Sequence, residues 1–119
     1  MKLIDTLFKI CSCEQDAQGG FAVVVKPQCD HPIYSGHFPD NPITPGVCLV
    51  QLAKELASHC WKLPLEIKGI KMVKFLNMLV PDENVTATCL LRYDSLTGTL
   101  QAEIRNSEMV YAKMTLLLK

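Results

Sequence analysis

Five prolines stand at positions 27, 32, 39, 42 and 45, and the stretch from 46 to 62 that follows contains none. A proline ring fixes φ and removes a backbone donor, so 27–45 reads as neither a regular helix nor a central strand. It is expected to be a long structured loop, a kind of segment that tends to carry function. Beyond Pro45 the pattern changes. Val47, Val50, Ala53, Leu56, Ala57 and Cys60 recur at three-to-four spacing, which predicts a helix over 46–62. Leu49, Leu52 and Trp61 widen its apolar face, so the helix is expected to be buried on most sides, with Pro64 ending it.

The rest of the chain reads as strands. Residues 3–13 mix apolar and polar positions and suit a strand or a short helix. Gly19-Gly20 marks a turn, and the β-branched run 21–25 predicts a strand. Residues 67–79 are strand-like and lead into a Pro81-Asp-Glu-Asn84 turn. Alternation over 85–93, a turn over 94–98, and strands over 99–106 and 109–118 complete the chain. A single buried helix followed by a run of antiparallel strands implies an α+β layout. At 119 residues the chain is expected to form one domain, 1–119. So short a chain buries a modest fraction of its surface and would gain from a further interface.

Twelve basic residues balance twelve acidic ones, which argues against a nucleic-acid or membrane surface, although Lys68, Lys71 and Lys74 form a local basic group. The six cysteines contain one close pair, Cys11 and Cys13, which lacks the second pair or the spaced histidines of a zinc site. Reduced thiols are expected, with Cys48 and Cys60 as small core residues. The opening residues MKLIDTLFKI are too short and too charged for a signal peptide, and no apolar run reaches the length of a membrane span. A cytoplasmic location is expected.

The chemistry points to residues 36–51, GHFPDNPITPGVCLVQ. Prolines stiffen a loop that carries His37 to the start of a buried helix. The first turn of that helix leaves backbone N–H groups directed outward, where they can stabilise negative charge developing on an oxygen. Gly46 permits close approach of a ligand or another backbone segment. A histidine titrating near neutrality beside such amides is a proton-transfer site in outline. A histidine before a helix also serves as a capping or surface residue, and on these residues alone both roles stand. Of the other histidines, His31 reads as a surface or gating residue, and His59 suits the negative end of the helix.

Residues 36–47 resemble the G-H-F-P-x-x-P-x-x-P-G-V motif of the β-hydroxyacyl-acyl-carrier-protein dehydratases. The segment 73–82, VKFLNMLVPD, is similar to the family's K/R-F strand running into V-x-P-G-D, and 109–118 fits its final strand. The chain is expected to begin at the first strand, without the family's leading helix. The resemblance implies a hot-dog fold, an antiparallel sheet wrapped around one central helix. It implies homodimers, or higher oligomers, whose sheets join edge to edge with active sites at the interface. No metal or organic cofactor is implied. The implied partner is an acyl carrier protein presenting the acyl chain on phosphopantetheine.

In that family a histidine at the position of His37 removes the α-proton of a β-hydroxyacyl thioester. A helix-start glycine, here Gly46, binds the thioester carbonyl. Substrate contacts are implied for Phe38, Val47 and Tyr34, the last bordering the acyl tunnel. The carboxylate expected fourteen positions beyond the histidine is replaced by Gln51, which donates and accepts hydrogen bonds but does not transfer protons. Glu55, one helical turn on, either supplies the missing acid or is a solvent-facing or ion-paired residue. The expected activity is a (3R)-hydroxyacyl-thioester dehydratase in fatty-acid or related acyl-chain synthesis. The alternative is a non-catalytic acyl-thioester-binding protein or a thioesterase-like relative.

Overall fold

Alternating apolar residues fold into one antiparallel sheet whose buried face receives a single long helix. The computed structural model describes residues 2–36 and 43–119. Six strands follow in chain order, β1 (Phe8–Gln15), β2 (Phe21–Pro27), β3 (Ile67–Phe75), β4 (Ala87–Asp94), β5 (Thr99–Arg105) and β6 (Val110–Leu118). Their spatial order is β1-β2-β4-β5-β6-β3, every neighbouring pair antiparallel. Two helices lie between β2 and β3: α1 (Pro32–Gly36) and α2 (Gly46–Trp61).

The register explains where the core sits. Val23 pairs with Cys89, Cys89 with Ile104, and Ile104 with Ala112, so one row of fully buried side chains crosses four strands. With a side-chain period of two, every second position along β2, β4 and β5 joins this face. Against it α2 packs Leu49, Leu52, Ala53, Leu56 and Ala57, all essentially without solvent contact. Each such leucine contributes about 1.5–3 kcal/mol of burial. At the far end Trp61 meets Phe21 and Tyr93 edge to face, with ring centroids 4.9 and 5.6 Å apart.

Several expectations need correction. The proline-rich stretch contains a short helix, α1, because Pro32 stands in its first turn, where a missing N–H costs nothing. His31 caps it: its Nδ1 accepts from the Ile33 N–H at 3.1 Å. The long helix, by contrast, ends before Pro64 as expected. Lys62 turns left-handed at φ 55°, and both it and Leu63 donate to the Ser58 carbonyl. Val47, assigned from its spacing to the buried stripe, is 72% exposed. The strand expected over 67–79 ends at Phe75.

One edge of the sheet, β3, differs from the rest. Register shifts at 67–69 and 70–72 break its alternation, and Lys68, Lys71 and Lys74 are exposed along it. Ile70, Phe75, Leu76, Met78 and Val80 are also exposed and extend an apolar strip past the end of the strand.

Candidate active site

His37 and Phe38 lie outside the described residues, and the site is built from the residues around them. The described chain fixes both feet of their loop. Tyr34, on α1, is buried, and its hydroxyl lies 3.0 Å from the Thr44 hydroxyl. Thr44 is also buried, and its N–H donates to the Leu79 carbonyl at 2.8 Å. Burial pushes the Tyr34 hydroxyl up from its ordinary range, against a smaller lowering by Thr44, so it stays protonated at neutral pH. Thr44 was not singled out from sequence. Its partners lie 10 and 35 positions away, and no local pattern announces them.

Two residues past Thr44 the long helix begins. Among the described residues no side-chain cap hydrogen bond is made at Pro45, the residue before α2. Gly46 is required here by a neighbour. A Cβ at this position would lie 2.7 Å from Cζ of Phe75. The close approach expected at Gly46 is therefore made by an aromatic ring from the edge strand. Val47, next in the chain, is exposed, as are Phe75, Leu76 and Met78. Cys48, in the first turn, is buried and its thiol is raised by desolvation, which marks it as a packing residue.

Gln51 is half-buried one turn further along α2, and its Nε2 donates to Glu55 Oε2 at 2.9 Å. Glu55 is not solvent-facing, one of the expected alternatives, and among the described residues it makes no ion pair. Only 9% exposed, it accepts from the Leu3 N–H at 2.8 and 2.9 Å and from the Ile4 N–H at 3.0 Å. Donors surround its oxygens, an arrangement that suits a carboxylate, which only accepts. The segment it holds is compact, with the Leu3 carbonyl accepting from Thr6, Leu7 and Phe8. The structure thus brings Tyr34 to the loop carrying His37, and Gly46, Val47, Gln51 and Glu55 to the first three turns of one helix.

Elsewhere, Lys54 pairs with Glu66 at 3.6 Å, and His59 is exposed in the last turn of α2. Asp30 is exposed in a turn. Cys13 Sγ and Cys60 Sγ are 3.7 Å apart, and Cys60 is pushed up to about 12, chiefly by burial. Among the described residues no cluster of His, Cys, Asp or Glu is arranged to hold a metal ion, and no helix is long and apolar enough to cross a membrane.

The geometry can be set beside known proteins. The chain resembles a component of the dehydratase heterocomplex ApeI:P from Xenorhabdus doucetiae, with a TM-score of 0.81 at 22% identity over 92% of this chain and 96% of that one. It also resembles an uncharacterized protein from Erwinia carotovora subsp. atroseptica, with a TM-score of 0.73 at 16% identity, covering 93% of this chain and 92% of the other. At these identities the likeness establishes the fold, a hot-dog of the α+β class. Comparison with curated proteins gives no significant match. The sequence profile of the ApeI-like family, described as ApeI dehydratase, matches residues 12–114. That match, together with the hot-dog sheet, places the chain in the ApeI-like dehydratase family.

Proposed function

We propose that the protein is a (3R)-hydroxyacyl-thioester dehydratase, a hydro-lyase acting on acyl chains carried by an acyl carrier protein in fatty-acid or related synthesis. The observation that carries this reading is the order of parts along one short stretch. The His37 motif, flanked by the Tyr34–Thr44 hydroxyl contact, runs directly into the N-terminus of α2, where no side chain of the described residues makes a cap at Pro45.

His37 takes the α-proton of the bound thioester while the Gly46 N–H donates a hydrogen bond to the thioester oxygen as negative charge develops on it. The α-carbon–hydrogen electrons form the double bond, and the β-carbon–oxygen bond breaks. The proton held by His37 passes to the departing hydroxyl, which leaves as water. Gln51 orients the hydroxyl without supplying a proton. Phe38, Val47 and Tyr34 border the acyl chain. No cofactor enters this scheme. The protein works in the cytoplasm as one domain per chain.

A homodimer completes the site. Its support is the exposed apolar strip on β3 and beyond it, with Met78 at 68% and Phe75 at 54% exposure. An edge strand bearing that much apolar surface favours pairing with another chain. The heterocomplex named for the Xenorhabdus relative supports assembly of this fold in general. Lys68, Lys71 and Lys74 offer an acidic carrier protein a basic margin.

The test is incubation of a 3-hydroxyacyl carrier protein with the enzyme, followed by intact-mass measurement. Loss of one water from the acyl group is expected. A second reading, an acyl-thioester-binding protein without turnover, is favoured by one feature: Gln51 stands where the acid belongs, and the nearest carboxylate, Glu55, is engaged by backbone amides. Tight thioester binding with an unchanged mass would select it.

A further inference from the structure

Two thiols that the dehydratase scheme does not use face each other well away from Gly46. Cys13, on the edge strand β1, and Cys60, in the last turn of α2, have sulfurs 3.7 Å apart although 47 positions separate them in the chain. Both are free thiols, Cys13 exposed and Cys60 half-buried. A disulfide holds its sulfurs about 2.05 Å apart, so closure asks each sulfur to move by less than about 1 Å. Cys11, two residues before Cys13, has its sulfur 3.9 Å from the Lys9 carbonyl instead. At 1.5 Å per residue, Cys60 stands roughly 20 Å along α2 from Gly46.

The strand that such a bond would tie is the least buried of the sheet. Within β1 only Phe8 is buried, and β2 is its single neighbour in the sheet. A strand with so little burial opens locally more readily than the core. Helix α2 already holds the segment ahead of β1, through Glu55 and the amides of Leu3 and Ile4. A bond from Cys60 to Cys13 adds a second tie from the same helix, toward the other end of the strand.

We infer that Cys13 and Cys60 are a modification site, which a peroxide converts to an intramolecular disulfide that clasps β1 to the end of α2. The order of events follows from the surroundings of the two sulfurs. Cys60 is pushed up to about 12, chiefly by burial and then by its contact with Cys13, so it keeps its proton. Its S–H is therefore the donor when Cys13 ionises. The exposed Cys13 thiolate attacks one peroxide oxygen, the O–O bond breaks, and the departing hydroxide takes up a proton as water. Cys60 then attacks the Cys13 sulfur. The S–S bond forms, the S–O bond breaks, and the hydroxyl leaves with the Cys60 proton as a second water. Two thiols lose two electrons, the peroxide gains two, and the products are one disulfide and two waters. In a reducing compartment the bond is transient, because thiols reopen it.

The experiment treats the full chain, reduced and then freed of reductant, with a small excess of hydrogen peroxide. Intact mass under denaturing conditions should fall by two hydrogens, and dithiothreitol should restore it. Cys13→Ser and Cys60→Ser should each abolish the loss, and Cys11→Ser should keep it. Cys13 is exposed, so Cys13→Ser tests the bond even where Cys60→Ser disturbs the fold. The oxidised chain should melt about 10 °C higher than the reduced one, and its β1 amides should exchange more slowly with solvent. Oxygen added at Cys13 without a cross-link, a covalent dimer, or a bond that survives Cys13→Ser overturns the proposal. So does a Cys13–Cys60 bond that leaves the melting midpoint unchanged, since it would clasp nothing.

Discussion

The hydroxyls of Tyr34 and Thr44, both buried, lie 3.0 Å apart and tie the two ends of the loop that carries His37. The loop therefore departs from and returns to fixed points, whatever path it takes between them. Removing one partner leaves the other buried and unpaired, at a cost of about 1–3 kcal/mol. Tyr34→Phe is expected to lower the thermal midpoint by several degrees. Turnover should fall more than the unfolded fraction accounts for, because His37 loses one foot of its support. Calorimetry and initial rates on the same sample check this. A variant with unchanged midpoint and rate would remove the pin from the account.

Gly46 and Phe75 make a second testable contact. A methyl group at 46 would sit 2.7 Å from the ring, so Gly46→Ala must displace either Phe75 or the helix start. Overpacking of this kind costs about 1–3 kcal/mol. Activity is expected to drop sharply, since the Gly46 amide shifts with its backbone. Phe75→Leu in the same chain vacates the ring volume and should restore part of both stability and rate. If the double variant is no better than Gly46→Ala alone, the ring is not the cause.

The helix and most of the sheet were legible because their signals are local. The spacing of Val50, Ala53, Leu56 and Ala57 marks a helix, and alternation through Ala87, Cys89 and Leu91 marks a strand. The misjudged features depend on distant partners. Glu55 looks like a surface residue until the amides of Leu3 and Ile4, 52 and 51 positions away, fold over it. Val47 has the right spacing for the core, but as the second residue of the helix it is exposed, whereas Val50, nearly one turn on, is buried. The brief helix α1 was hidden by Pro32, which breaks helices everywhere except in a first turn. The family was legible by resemblance, through the motif of 36–47.

Gln51→Glu would set two carboxyl groups against each other where Gln51 Nε2 now meets Glu55 Oε2 at 2.9 Å. Like charges at that range do not both ionise, so the pair should share a proton and the pKa of one member should rise. In the proposed mechanism the shared proton would add a second general acid beside His37. Turnover should rise by up to about 10²-fold, the low end for one positioned acid. The gain should be largest at low pH and vanish as pH rises through the raised pKa, where the proton is lost. A pH–rate profile of the variant checks the sign. A gain that increases with pH would contradict it.

The apolar strip on the edge strand predicts a homodimer. Sedimentation equilibrium at micromolar concentration should give twice the chain mass, and Met78→Lys with Phe75→Lys should shift it toward monomer. A charge introduced into a paired apolar interface leaves it unpaired and desolvated, which strongly disfavours association. A wild-type monomer would refute the edge-to-edge assembly, and a dimer unaffected by the two lysines would move the interface elsewhere.

The most direct measurement is hydration of a 2-enoyl thioester, followed by the loss of its conjugated absorbance, for the wild type and His37→Ala side by side. The account predicts steady turnover by the wild type on at least one chain length from crotonyl upward. It predicts none above background for His37→Ala, with an unchanged circular dichroism spectrum. Turnover that persists in His37→Ala, or its absence from the wild type with every enoyl and hydroxyacyl thioester tried, would contradict it.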